Sequence, residues 1–249
     1  MIDLHTHVLP AIDDGPATMG ESLEMLAEFA AAGVEAVAAT PHVRDDYPTT
    51  AAVMEDLVSE VRGEAVKRSL GVQVLPGGEI ALERIRATSH AELRRFGLAG
   101  NPRYLLVEFP YYGWPPNLAQ ELESLRSAGF RVVLAHPERN AEVQAGPARL
   151  GPLVESNVLV QITAASVSGA LGRRCQSTAM ELIDLHLAHF VASDTHGPGG
   201  RIGLAAALRH LADVRLAQWL TSEVPLAIVA GEPIPPRPAE RRRGLWRRM

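Results

Sequence analysis

The sequence predicts an α/β fold, a single parallel barrel of about seven strands, and three observations point there. Its 249 residues suit one β/α barrel. Short apolar, β-branched runs alternate along it with longer stretches of helical periodicity. No hairpin pattern and no long low-complexity linker interrupts that alternation, which favours a closed barrel over an open doubly wound sheet.

The first strand is expected at 2–7, and a helix at 20–32 should bury Leu23, Leu26, Ala27 and Ala30 on one face. A second strand at 34–40 leads to a helix over 50–70, whose expected apolar stripe is Val53, Leu57, Val61, Ala65 and Val66. Further strands follow at 72–76, 104–109, 131–135, 159–163 and 190–193. The barrel should occupy 1–231, because Gly231-Glu232-Pro233-Ile234-Pro235-Pro236-Arg237-Pro238 is a proline-rich stop. Residues 232–249 are expected to form a flexible, Pro/Arg-rich tail outside the fold.

Composition removes several classes of function. Lys plus Arg number 24 against 29 Asp plus Glu, a net charge of −5, which excludes a globally basic nucleic-acid binder. Hydrophobic residues make up 47% of the chain, yet no run approaches the ~18 apolar residues of a membrane span. The N-terminus has neither the basic nor the apolar region of a signal peptide, so the expected compartment is the cytoplasm. Cys175 is the only cysteine, which rules out an internal disulfide and a CxxC zinc site. Glu181 stands six residues after it where a cysteine-dependent CX5R phosphatase would carry arginine.

Metal-competent side chains fall at the strand ends. The first strand ends in His5-Thr6-His7, the second in Thr40-Pro41-His42, the third in Gly77-Gly78-Glu79 and the fourth in Glu108-Phe109-Pro110. The fifth ends in His136-Pro137-Glu138-Arg139 and the seventh in Ser193-Asp194-Thr195-His196. In parallel β/α folds these ends line one rim, so residues distant in sequence converge. With Asp14 from Ile12-Asp13-Asp14-Gly15, the candidate ligands are His5, His7, Asp14, His42, Glu79, Glu108, His136, Asp194 and His196. Imidazole and carboxylate without thiolate suit Mn²⁺, Fe²⁺ or Zn²⁺. At three or four protein ligands each, with one bridging carboxylate, they would hold about three ions. Asp13 is expected to be a turn or capping residue beside the ligand Asp14, the alternative being that Asp13 ligates in its place.

Charge then points to the substrate. Asp14, Glu79, Glu108 and Asp194 contribute −4; three divalent ions would bring the cluster to +2, and a single ion would leave it at −2. Only the multinuclear cluster therefore welcomes a phosphate dianion without help from arginines. Arg139 and Arg201 lie close enough to strand-end ligands to reach the same rim, and their guanidinium forks match phosphate. Metal-assisted phosphomonoester hydrolysis is the chemistry this implies.

The ordered set HxH, DDG, TPH, GGE, EFP, HPER and SDTH, running from Met1 to about Arg201, resembles the PHP superfamily. Within it the chain is most similar to the bacterial manganese-dependent protein-tyrosine phosphatases of capsule and exopolysaccharide operons, the CpsB/CapC-like family. The resemblance implies a distorted (β/α)7 barrel with a trinuclear centre. One ion would sit on His5, His7, Glu79 and Asp194, a second on Glu79, Glu108 and His136, and a third on Asp14, His42 and His196. Two to three divalent ions are implied, manganese first, with iron or zinc as alternatives. Arg139 and Arg201 match the family's phosphate-gripping arginines. The implied partner is the phosphotyrosine-bearing tail of a membrane-associated polysaccharide-assembly tyrosine kinase. The chain departs from the pattern at Val43, after His42, where a second polar or basic residue is expected, so loop contacts to a peptide are not carried over.

Two other functions fit the same residues: a small-molecule PHP phosphatase acting on histidinol phosphate or a nucleotide, and a low-turnover module that binds a kinase tail. The loop Tyr111-Tyr112-Gly113-Trp114-Pro115-Pro116 either walls a slot for an aromatic ring or is simply packed. His90, His186, His189 and His210 are expected to be structural. The basic run 241–248, with Trp246, is read as a solubilising end, allowing at most peripheral contact with an anionic membrane.

Overall fold

The computed structural model describes residues 1–199, 203–211 and 213–239. Nine strands appear among them: β1 (Ile2–Thr6), β2 (Ala36–Ala39), β3 (His42–Val43), β4 (Gln73–Pro76), β5 (Glu79–Ala81), β6 (Tyr104–Glu108), β7 (Arg131–Ala135), β8 (Leu159–Thr163) and β9 (Phe190–Ala192). Every strand pair is parallel. The ladders run β1-β2-β4 and β3-β5-β6-β7-β8-β9.

The expected seven strands all form, and beyond the second and the third a further short strand follows a break, β3 and β5. Pro41 has no N–H to give the ladder, and the Thr40 hydroxyl instead exchanges hydrogen bonds with the backbone of Thr6. Gly77 and Gly78 make the second break, where the chain presses so close to Phe96 that a Cβ on Gly78 would lie 2.6 Å from its ring. Pairing resumes at once, with the Glu79 N–H donating to Pro41 O at 3.0 Å. The barrel closes between the extensions of β9 and β1, where Asp194 N–H donates to His5 O at 2.9 Å and His7 N–H to Thr195 O at 3.0 Å. Buried Asp3 reinforces this seam by accepting from the backbone of His5 and Ser193; burial, only partly offset by those bonds, pushes its pKa up to about 6.

The first two helices, Met19–Ala31 and Ala51–Lys67, start where threonine hydroxyls of Thr18 and Thr50 cap them. Their buried faces differ from the expected ones. Met19–Ala31 buries Leu23, Met25, Leu26 and Phe29 and leaves Ala27 and Ala30 exposed. Ala51–Lys67 buries Ala51, Met54, Val58, Val61 and Ala65, while Val53 is 48% and Val66 76% exposed. Two apolar stripes of helical period coexist in that segment and share Val61 and Ala65; the one that also holds Met54 and Val58 is buried.

Residues 232–239, expected outside the fold, lie on it. Ile234 packs against the core, the Trp219 indole N–H donates to Pro235 O at 3.0 Å, and Arg237 donates to Ile183 O. The basic run 241–248 falls outside the described residues. So does Arg201.

Candidate metal centre

Period-two geometry turns His5 and His7 to the same side of β1, where both are buried and their Nε2 atoms lie 3.3 Å apart. Each ring is held from behind. His5 Nδ1 lies 3.1 Å from Gln161 Oε1, and His7 Nδ1 lies 2.7 Å from Asp13 Oδ2, so Nε2 of both is turned to the centre. Asp13 also accepts from the backbone N–H of Gly15 and His42, which makes it an orienting turn residue. Asp14 is the one that reaches inward, 3.5 Å from His42 Nε2 and 3.4 Å from His196 Nε2. The tight turn requires Gly15, whose substitution would bring a Cβ to 2.6 Å from His7 O.

Glu79 is the hub. It is fully buried; one oxygen lies 2.7 Å from His136 Nε2, and the other lies 3.2 Å from His5, 3.4 Å from His7 and 3.1 Å from His42. Among the described residues, donor atoms converge in three groups: His7, Asp14, His42 and His196; His5, His7, Glu79 and Asp194; and His42, Glu79 and Glu108. The donor set fits divalent cations on a specific observation. Among the described residues, buried His136 Nδ1 has no hydrogen-bond partner, and buried Glu79 Oε2 and His42 Nδ1 meet only in an ion-pair contact without hydrogen-bond geometry, an arrangement that is costly unless a cation satisfies it.

Electrostatics at the centre run against burial. Burial would raise the carboxyl pKa of Glu79 and Asp194, but His5 above all, then the other imidazoles, holds both well below the usual range. Burial would lower the His7 imidazole, but its contacts with Asp13, Asp194 and Glu79 push it well above the ordinary value. Glu108 moves the other way, raised by burial and by the charge of Glu79.

The expected second ion site on Glu79, Glu108 and His136 is arranged differently. His136 bonds Glu79 but joins no group of three, and His42 stands with Glu79 and Glu108 instead. His136 and Asp194 both adopt positive φ, at 35° and 55°, backbone strain of the sort that rigid surroundings hold at functional sites.

Arg139 meets the rim as expected. Its guanidinium pairs with Asp194, donates to the Thr163 hydroxyl at 3.1 Å and lies 3.4 Å from the Tyr111 hydroxyl. Arg44 was not among the expected site residues, yet it donates to Glu108 Oε1 at 3.2 Å and to Asp46 at 2.8 Å. Sequence reasoning also passed over Gln161, Thr163 and Glu138. Glu138 is buried and accepts from Thr163 N–H and the Ser166 hydroxyl, fixing the end of β8 against the Arg139 segment. A buried polar residue inside the apolar run Leu159–Thr163 was the available signal for Gln161. His189 is structural, accepting from Val160 N–H, with burial pushing its pKa down to about 4.

Because Asp13 fixes the His7 tautomer, Asp13→Ala should weaken metal binding ~10–100-fold while the fold persists. Titration of divalent ions into the stripped protein, with circular dichroism as the control for folding, checks this.

The profile of the capsular polysaccharide synthesis CpsB/CapC family matches residues 1–213. Tyrosine-protein phosphatase YwqE of Bacillus subtilis (strain 168) is 35% identical over 199 residues, covering 79% of this chain and 77% of that protein. Tyrosine-protein phosphatase CpsB of Streptococcus agalactiae is 28% identical over 207 residues, covering 79% and 83%. In three dimensions the barrel superposes with a TM-score of 0.85, at 31% identity, on a solved chain described with YwqE from Bacillus subtilis and CpsB from Streptococcus pneumoniae as unique metal-dependent tyrosine phosphatases; the match covers 97% of this chain and 100% of that one.

Proposed function

This chain belongs to the CpsB/CapC family of capsular polysaccharide synthesis proteins, and we propose that its rim centre removes phosphate from tyrosines in the tail of a polysaccharide-assembly tyrosine kinase. It is a metal-dependent protein-tyrosine phosphatase with a PHP-type barrel. The carrying observation is a set of overlapping donor groups, two of which share Glu79 and the third joined to them through His7 and His42, with Arg139 at their edge. Relatives named as tyrosine phosphatases favour this reading over a small-molecule phosphatase or a low-turnover binding module.

Roughly two to three divalent ions, manganese first, would be held by His5, His7, Asp14, His42, Glu79, Glu108, His136, Asp194 and His196. When bound they supply Lewis-acid polarisation of phosphoryl oxygens and lower the pKa of water. The protein supplies the rest. Arg139 grips a phosphoryl oxygen pair, with Asp194 and Thr163 holding its fork in place, and Arg201 is proposed as its counterpart. Gln161 and Asp13 keep the imidazoles in one tautomer, so little reorganisation is needed when charge develops. A phenolate leaving group, side-chain pKa ≈ 10, needs less proton donation than an alkoxide.

Among the described residues no helix is long and apolar enough to cross a membrane. We place the enzyme in the cytoplasm, reaching its kinase by at most peripheral membrane contact through the basic run 241–248. Kinetics at fixed Mn²⁺ test the substrate class. Phosphotyrosine peptides should show higher kcat/KM than phosphoserine peptides or histidinol phosphate, and free phosphate should inhibit. Turnover of histidinol phosphate or a nucleotide ~100-fold better than any phosphotyrosine peptide, about 2.7 kcal/mol of transition-state preference, would contradict it.

A further inference from the structure

The segment after β6 exposes aromatic surface that the rest of the fold spends effort to hold still. Tyr112 is 84% and Tyr111 43% exposed, although large aromatic side chains are ordinarily buried. The backbone beneath them is pinned. Buried Asn140 donates its side-chain amide to Pro110 O at 2.6 Å and to Gly113 O at 2.9 Å, and Ala141 N–H donates to Tyr111 O at 2.9 Å. Trp114 anchors the far end, packed edge-on against buried Phe109 and covered by the Arg149 guanidinium at 4.5 Å. Adjacent exposed aromatics on a loop held in place by a scaffold provide a surface suited to recognition.

Its position says what it recognises. The Tyr111 ring lies nearly parallel to His136, 6.0 Å between centroids, and its hydroxyl is 3.4 Å from Arg139. A phosphate gripped by Arg139 would therefore carry its ester group toward the Tyr111 ring. Beyond the tyrosines the same segment continues along a groove whose apolar wall is Pro110, Pro115, Pro116, Leu118 and, from the short helix after β5, Leu82, with Glu83, Asn117 and Glu121 as its polar lining. Pro110 joins that groove to the segment that carries the tyrosines.

We propose that Tyr111 stacks on the aryl ring of the phosphotyrosine and that Tyr112 with the proline groove takes the peptide flanking it. The inference rests on the phosphatase reading above and adds the surface that selects the substrate. Stacking is tolerant of sequence and specific for an aromatic leaving group, which suits one site to several tyrosines of an extended tail. The Tyr111 hydroxyl contributes separately, by holding Arg139.

Two comparisons test the proposal. In the first, phenylphosphonate and methylphosphonate compete against an aryl phosphate in the manganese-loaded enzyme. Wild type should prefer the phenyl compound, Tyr111→Ala should lose ~5-fold or more of that preference, and Tyr111→Phe should keep it. In the second, Tyr112→Ala should lower kcat/KM for a phosphotyrosine peptide ~5-fold or more relative to that for phenyl phosphate. Unchanged ratios in Tyr111→Ala and Tyr112→Ala would overturn the inference. Failure of the phosphatase reading looks different: it appears in the wild type, as poor peptide turnover beside histidinol phosphate, while the phosphonate comparison still decides the role of Tyr111.

Discussion

Glu79→Gln is expected to lose aryl phosphatase activity by ~100-fold or more and to bind fewer divalent ions than wild type. Glu79 sits in two of the three donor groups, and its carboxylate faces His136 on one oxygen and His5, His7 and His42 on the other. An amide keeps the shape but replaces one acceptor oxygen by an NH₂ group, which repels a cation and cannot bridge two. Gln is nearly isosteric, so the barrel should remain folded by circular dichroism, and elemental analysis of the folded variant separates lost metal from lost structure. Wild-type turnover with wild-type metal content in Glu79→Gln would remove Glu79 from the centre.

Arg139 is the second large effect. Arg139→Lys keeps the charge but removes the planar fork, and Arg139→Ala removes both; each should reduce kcat/KM at least ~10-fold, about 1.4 kcal/mol of transition-state stabilisation. Metal content should stay the same, because a guanidinium has no lone pair to give a cation and Asp194 faces His5 and His7 with Oδ1 while Oδ2 meets Arg139. Burial would lower the basicity of the guanidinium, but Asp194, Glu138 and Tyr111 more than offset that, so it stays charged throughout the working pH range. Wild-type kinetics in both variants would assign phosphate binding to the ions alone.

The rim was legible because its chemistry sits where a period-two strand ends. HxH can only face one way from a strand, and TPH, GGE, EFP, HPER and SDTH each follow an apolar run that had to be buried. What sequence hid was set by partners far along the chain. The break between β2 and β3 depends on Thr40 meeting Thr6, and the close pass of Gly78 depends on Phe96. The buried stripe of Ala51–Lys67 was ambiguous because Val53 and Val66 extend its apolar surface all the way to the exposed face. Arg44, Gln161 and Glu138 reach the site through contacts distant in sequence: Arg44 to Glu108, 64 residues away, Gln161 to His136 and Glu138 to Thr163, each 25 residues away. Residues 232–239 read as a proline-rich exit, yet proline imposes no penalty on a chain that lies on a surface without joining a sheet.

Phosphate hydrolysis at this rim calls for a multinuclear centre, and counting its ions against activity tests that most directly. The purified protein should carry roughly two to three divalent ions per chain, lose aryl phosphate hydrolysis when a chelator removes them, and regain it as Mn²⁺ is restored to that stoichiometry. A fully active enzyme with one ion or none per chain would contradict it.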